Sequence, residues 1–93
     1  MTKRRGRCVY CGANGDLTKD HIIPRSVLPT PLGPRNVAHS CGSCNALKAD
    51  LSPGQMRLLA NDMRSVAGRL NRIARGVDRL CRERGLQDPL QGR

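Results

Sequence analysis

Two Cys-x2-Cys units constrain this chain more than any other feature: Cys8-Val9-Tyr10-Cys11 and Cys41-Gly42-Ser43-Cys44. Two thiolates three positions apart can face one tetrahedral ion, and a second such pair completes the shell. The alternatives are a thioredoxin-like redox pair or coincidence, but redox chemistry needs one pair and a different fold around it. The spacing therefore predicts a structural Zn2+ held by Cys8, Cys11, Cys41 and Cys44. Such an ion matters here because the 93 residues contain no Phe, no Trp and only one Tyr, Tyr10. The aromatic area that normally fills a small core is missing. Zinc binding free energy becomes folding free energy and compensates. Cys81 is left over as a small buried side chain.

The charge balance points to the partner. Lys and Arg number 17 against 7 acidic residues, a net charge of +10, and all but Lys3, Lys19 and Lys48 are arginine. Arginine forks onto phosphate oxygens, so a polyanion is expected. No apolar run reaches membrane-spanning length, and Met1-Thr2-Lys3-Arg4-Arg5 leads into Gly6 rather than an apolar segment. The expectation is a cytoplasmic protein, where paired cysteines bind metal rather than each other.

Residues 1–7 read as a basic, mobile arm and residues 8–52 as the zinc-bound core. Within the core, Asn14-Gly15-Asp16 marks a turn, and Leu17 to Ile23 reads as a strand ended by Pro24. Pro29, Pro31, Gly33 and Pro34 make a rigid irregular loop. Val37 to Ser40 reads as a second strand and Ser43 to Asp50 as a short helix.

The chain then changes character. Ser52-Pro53 is a helix start, and the pattern stays helical over residues 53–84, with Gly85 as C-cap and 85–93 as a tail. Met56, Leu59, Met63, Val66, Leu70, Ile73, Val77 and Leu80 form a heptad seam, flanked by the small Ala60, Ala67 and Ala74. Gly68 and Gly76 lie off the seam and weaken the helix by roughly 1 kcal/mol each. A single helix of this length spans ~48 Å, more than a small zinc core covers. A homodimer through residues 53–84 follows as an expectation. The other faces carry Arg57, Arg64, Arg72 and Arg75 as candidate nucleic-acid contacts.

Between the cysteine pairs stand Asp20-His21-Ile22-Ile23-Pro24 and Asn36, with Asn45 directly after Cys44 and Lys48 three residues on. An adjacent acid and imidazole on a strand point to opposite faces unless the strand end is distorted, which a strand ending at Pro24 allows. His39 reads as a solvated strand residue. Arg25 and Lys48 flank the cluster as candidate phosphate contacts.

This ordered string over about residues 8–50 resembles the HNH endonucleases. The resemblance implies an α+β fold: a small zinc-bound ββα-metal core, followed here by a long C-terminal α-helix. It implies metal-dependent hydrolysis of DNA phosphodiester bonds, by nicking or double-strand cleavage. By position, Asp20 and Asn45 would hold Mg2+ or Mn2+, and His21 would be the general base. Asn36 would brace the loop that orients His21. The last triad position is often His in this family and is Asn45 here; its amide oxygen is a hard ligand suited to Mg2+ or Mn2+. Small HNH proteins of this kind resemble those encoded by phages, which implies phage packaging proteins as partners and the bacterial host cell as location. The alternatives are an endonuclease VII-like junction resolvase and a non-catalytic zinc module that binds nucleic acid.

Overall fold

The computed structural model describes residues 4–27 and 32–86. Three antiparallel strands come first, β1 (Arg4–Arg7), β2 (Asn14–His21) and β3 (Val37–Cys41), in sheet order β1-β2-β3. Three helices follow, α1 (Gly42–Lys48), α2 (Pro53–Asp62) and α3 (Ala67–Arg84), with short 3-10 turns at Arg25–Val27, Gly33–Asn36 and Arg64–Val66. This is the α+β class expected, with a long helix at its C-terminal end.

The two outer strands are offset along β2. β1 pairs only with the first half of β2, from Arg4 opposite Leu17 to Arg7 opposite Asn14. β3 pairs with the second half, from Leu17 opposite Cys41 to His21 opposite Val37. Among the described residues, no strand pairs with 18–21 of β2 on that side, and the backbone groups there take other partners. Helix α1 supplies them: Asn45 Nδ2 donates to Lys19 O (3.4 Å) and Lys48 Nζ to His21 O (2.7 Å).

Two expectations about the N-terminal half are corrected. Residues 4–7 are not an arm but strand β1. Asn14-Gly15-Asp16 is not the turn, because it already lies within β2. The reversal between β1 and β2 is made by the first cysteine unit, where Gly12 takes a left-handed φ of 77° and its N–H donates to Cys8 O. The cysteine knuckle does the work of a hairpin loop. Of the proline-rich loop, residues 28–31 lie outside the described residues, as do 1–3 of the arm and 87–93 of the tail; Gly33–Asn36 is a 3-10 turn rather than irregular chain.

The C-terminal half carries the larger correction. The single helix over 53–84 is two helices. Helix α2 starts as expected, on Ser52, whose side chain accepts from Gln55 N while Gln55 caps back onto Ser52 N. It stops at Met63 (φ −113°, ψ 76°), and α3 begins after a 3-10 turn. Asn61, Asp62 and Ser65 are weak helix formers at this point, so a break is inexpensive there. The gain is burial: α2 and α3 pack as a hairpin, and both halves of the seam turn into one core with the sheet. Met56, Leu70, Ile73 and Val77 are all at most 1% exposed. The described residues span 39 Å in their longest dimension, shorter than the ~48 Å of an unbroken helix. Apart from Met63 at the break, 43% exposed, the seam finds its cover inside the chain, and the argument for a second copy across residues 53–84 falls. Gly85 caps α3 in the left-handed conformation (φ 65°), as expected.

No helix among the described residues is long and apolar enough to cross a membrane.

Candidate zinc centre and hydrolytic cleft

The four sulfur atoms of Cys8, Cys11, Cys41 and Cys44 lie within 4.8 Å of one another. Zn–S bonds of about 2.3 Å place tetrahedral sulfurs about 3.8 Å apart, and Cys11 Sγ is 3.8 Å from Cys41 Sγ. Each pair also has the backbone of a knuckle, with N–H groups aimed at sulfur. Tyr10 N and Cys11 N donate to Cys8 Sγ, and Cys44 N to Cys41 Sγ, each at 3.4 Å. The donor set fits a structural zinc ion.

The electrostatics are uneven across the four. Burial pushes the Cys8 thiol up, but donation from backbone N–H groups of Cys11, Cys41 and Tyr10 outweighs it and brings it down to about 6. Burial pushes Cys44 up to about 12, against the Arg69 guanidinium that donates to its sulfur at 3.6 Å. Arg69 also offsets the negative charge a tetrathiolate site carries. Arg79 donates to Val9 O at 3.1 Å, tying α3 to the other knuckle. Two arginines of the helix thus contact the cysteine knuckles.

A cleft of about 190 Å³ opens beside the C-terminal end of β2. Asp20, His21, Asn45 and Arg25 line it, with Lys19 and Asp50. The adjacent acid and imidazole reach one cleft because β2 ends at His21 and the chain bends away through Ile22 and Ile23 into Pro24. Asn36 fixes that bend: its Oδ1 accepts from Ile23 N (2.8 Å) and its Nδ2 donates to Ile23 O (2.9 Å). With Asn36 only 2% exposed, these two bonds act as a backbone clamp on the residues following His21. Among the described residues, the His21 imidazole has no hydrogen-bond partner.

Asp20 is buried, and each of its oxygens has a partner. Lys48 Nζ lies 3.3 Å from Oδ1, and the Tyr10 hydroxyl donates to Oδ2. Burial first, then the neighbouring Asp20 carboxylate, push the Tyr10 phenol well above its ordinary range, so it stays protonated and acts as donor. Each carboxylate oxygen keeps a second lone pair. Asn45 uses Nδ2 for Thr18 Oγ1 (2.8 Å) and Lys19 O, which leaves Oδ1 as its acceptor. A carboxylate and an amide oxygen on one cleft are hard donors of the kind Mg2+ takes, with water and substrate oxygens completing its shell.

One expected phosphate contact is corrected. Lys48 is 1% exposed and its ammonium is spent on Asp20 and His21 O. It lies beneath the cleft and does not reach DNA. Arg25 remains on the rim, exposed. Arg57 is ion-paired across the hairpin, its Nη2 2.6 Å from Asp78 Oδ2. Arg64, Arg72 and Arg75 are exposed. His39 is half-buried and lines a different cleft, with Arg4, Arg5, Arg7 and Arg84. Sequence reasoning missed Tyr10 as a site neighbour, though its place inside the first knuckle was a usable signal.

Residues 8–50 match the family model described as HNH endonuclease. Over that segment the chain is similar to the HNH endonucleases. The matched segment runs from the first cysteine to just past α1, so it takes in both knuckles, β2, β3 and the cleft. Neither the curated proteins nor the solved structures gave a match to the chain. The match suggests a nuclease-type or nucleic-acid-binding module, with DNA the partner class that family indicates.

Proposed function

We propose that the protein is a metal-dependent endonuclease that hydrolyses DNA phosphodiester bonds in the cleft beside β2. The observation that carries this reading is the meeting of His21, Asp20, Asn45 and Arg25 around one small cleft. Phosphodiester hydrolysis needs a base for water and positive charge for the phosphate oxygens. His21 takes the proton of the attacking water through its unpartnered imidazole. Asp20 and Asn45 hold Mg2+ or Mn2+, which supplies charge stabilisation to the scissile phosphate when bound. Asn36 keeps the chain after His21 from relaxing and so holds the imidazole's direction. Arg25 grips phosphate at the rim, and Arg57, Arg64, Arg72 and Arg75 add contacts to the flanking backbone. Zinc on the four cysteines fixes the two knuckles from which the strands and α1 emerge.

A second reading, a zinc module that binds nucleic acid without cutting it, draws on the double engagement of Asp20 by Lys48 and Tyr10. Zinc-loaded protein incubated with supercoiled plasmid, with and without Mg2+, separates the two. Mg2+-dependent conversion to nicked or linear DNA supports the endonuclease; binding without cleavage under both Mg2+ and Mn2+ supports the module.

A further inference from the structure

Tyr10 belongs to two sites at once. It sits inside the first knuckle, between Cys8 and Cys11, with its N–H on Cys8 Sγ at 3.4 Å. Its hydroxyl donates to Asp20 Oδ2 in the floor of the cleft. The ring between these ends is 7% exposed and lies against α3. The contact is made at Gly76: a Cβ there would stand 2.7 Å from Tyr10 Cδ1 and 3.3 Å from Cε1. Gly76 weakens the helix it sits in, and what it permits is this approach. Asp20 is only 3% exposed, so water cannot set the direction of its carboxylate. Lys48 and Tyr10 do, one on each oxygen.

We propose that Tyr10 is a positioning residue for the Asp20 carboxylate, and that through it the zinc knuckle and α3 are mechanically tied to the divalent-ion site of the cleft. This rests on the reading of Asp20 as a ligand of the hydrolytic ion. Gly76 sets the depth of the ring, the ring sets the hydroxyl, and the hydroxyl fixes the rotamer in which Asp20 presents its remaining lone pairs. Groups that orient a metal ligand in this way commonly change metal affinity by 10- to 100-fold when removed.

Tyr10→Phe tests the idea, because it keeps the ring and the knuckle and removes only the hydroxyl. The measurements are Mn2+ binding to the zinc-loaded full chain by calorimetry, zinc content, and the Mg2+ concentration for half-maximal plasmid cleavage. The expected result is unchanged zinc content, Mn2+ affinity lower by about tenfold or more, and a matching rise in the Mg2+ requirement. Gly76→Ala, which displaces the ring, should shift Mn2+ affinity in the same direction. Tyr10→Phe added to Gly76→Ala should then cost less than it does alone, since both act through one hydroxyl. Wild-type protein that binds Mn2+ and a Tyr10→Phe variant that binds it equally well would overturn the role of Tyr10 alone. Wild-type protein that binds no Mn2+ would overturn the metal reading of the cleft, and this proposal with it.

Discussion

Lys48 Nζ lies 3.3 Å from Asp20 Oδ1 with the two side chains 1% and 3% exposed, a buried ion pair joining α1 to the strand that carries the site. Its ammonium also donates to His21 O, so one cation holds both members of the Asp20-His21 step. Removing one partner of a buried pair leaves the other charge stranded, typically at a cost of 3–5 kcal/mol. Lys48→Met should therefore lower the unfolding free energy of the zinc-loaded protein by about 3 kcal/mol in a denaturant titration. A loss below about 1 kcal/mol, the size expected of a solvated surface pair, would show that the pair is not buried in solution.

The zinc prediction follows from the sulfur geometry and from the poor aromatic content. Elemental analysis should find about one zinc per chain. Cys41→Ser, or a strong zinc chelator, should abolish the cooperative unfolding transition, because the core alone does not compensate for the lost ion. A cooperative, native-like transition in zinc-free protein would contradict this.

The helical hairpin makes a prediction opposite to the one the seam suggests. Leu70 is fully buried on α3, which packs against α2. Leu70→Asp should unfold the chain or cost more than about 3 kcal/mol, rather than turn a dimer into a folded monomer. The wild-type melting temperature should likewise not change between about 1 and 100 μM protein, because no association is coupled to folding. A melting temperature that climbs with concentration would show that the seam is completed by a second chain.

Much of this was legible in the sequence, for identifiable reasons. The cysteine pairs were legible because tetrahedral thiolate coordination demands a local spacing. Strand β3, helix α1, the Ser52 capping box and the Gly85 cap were legible because each is a local signal. The break at Met63 was not, because heptad spacing continues across it and says only that a face is apolar, not what covers it. Asn14-Gly15 reads as a turn by local preference, yet the metal knuckle four residues earlier had already reversed the chain. Lys48 reads as a surface cation by residue type; its burial comes from its contacts with His21 O and Asp20, which only the packing of α1 on β2 creates. Gly76 is a helix defect in sequence and a contact with Tyr10 in space.

The central claim is hydrolysis by the cleft with His21 as base, and one comparison tests it most directly. Zinc-loaded wild-type protein and His21→Ala are incubated with supercoiled plasmid and Mg2+, after circular dichroism and zinc content have shown the two equally folded. The imidazole is half-buried and without a partner among the described residues, so its loss should leave stability within about 0.5 kcal/mol. The account predicts that wild-type protein converts the plasmid to nicked or linear form and that His21→Ala slows conversion by at least about 100-fold. A His21→Ala variant that cuts at the wild-type rate would contradict the general-base assignment.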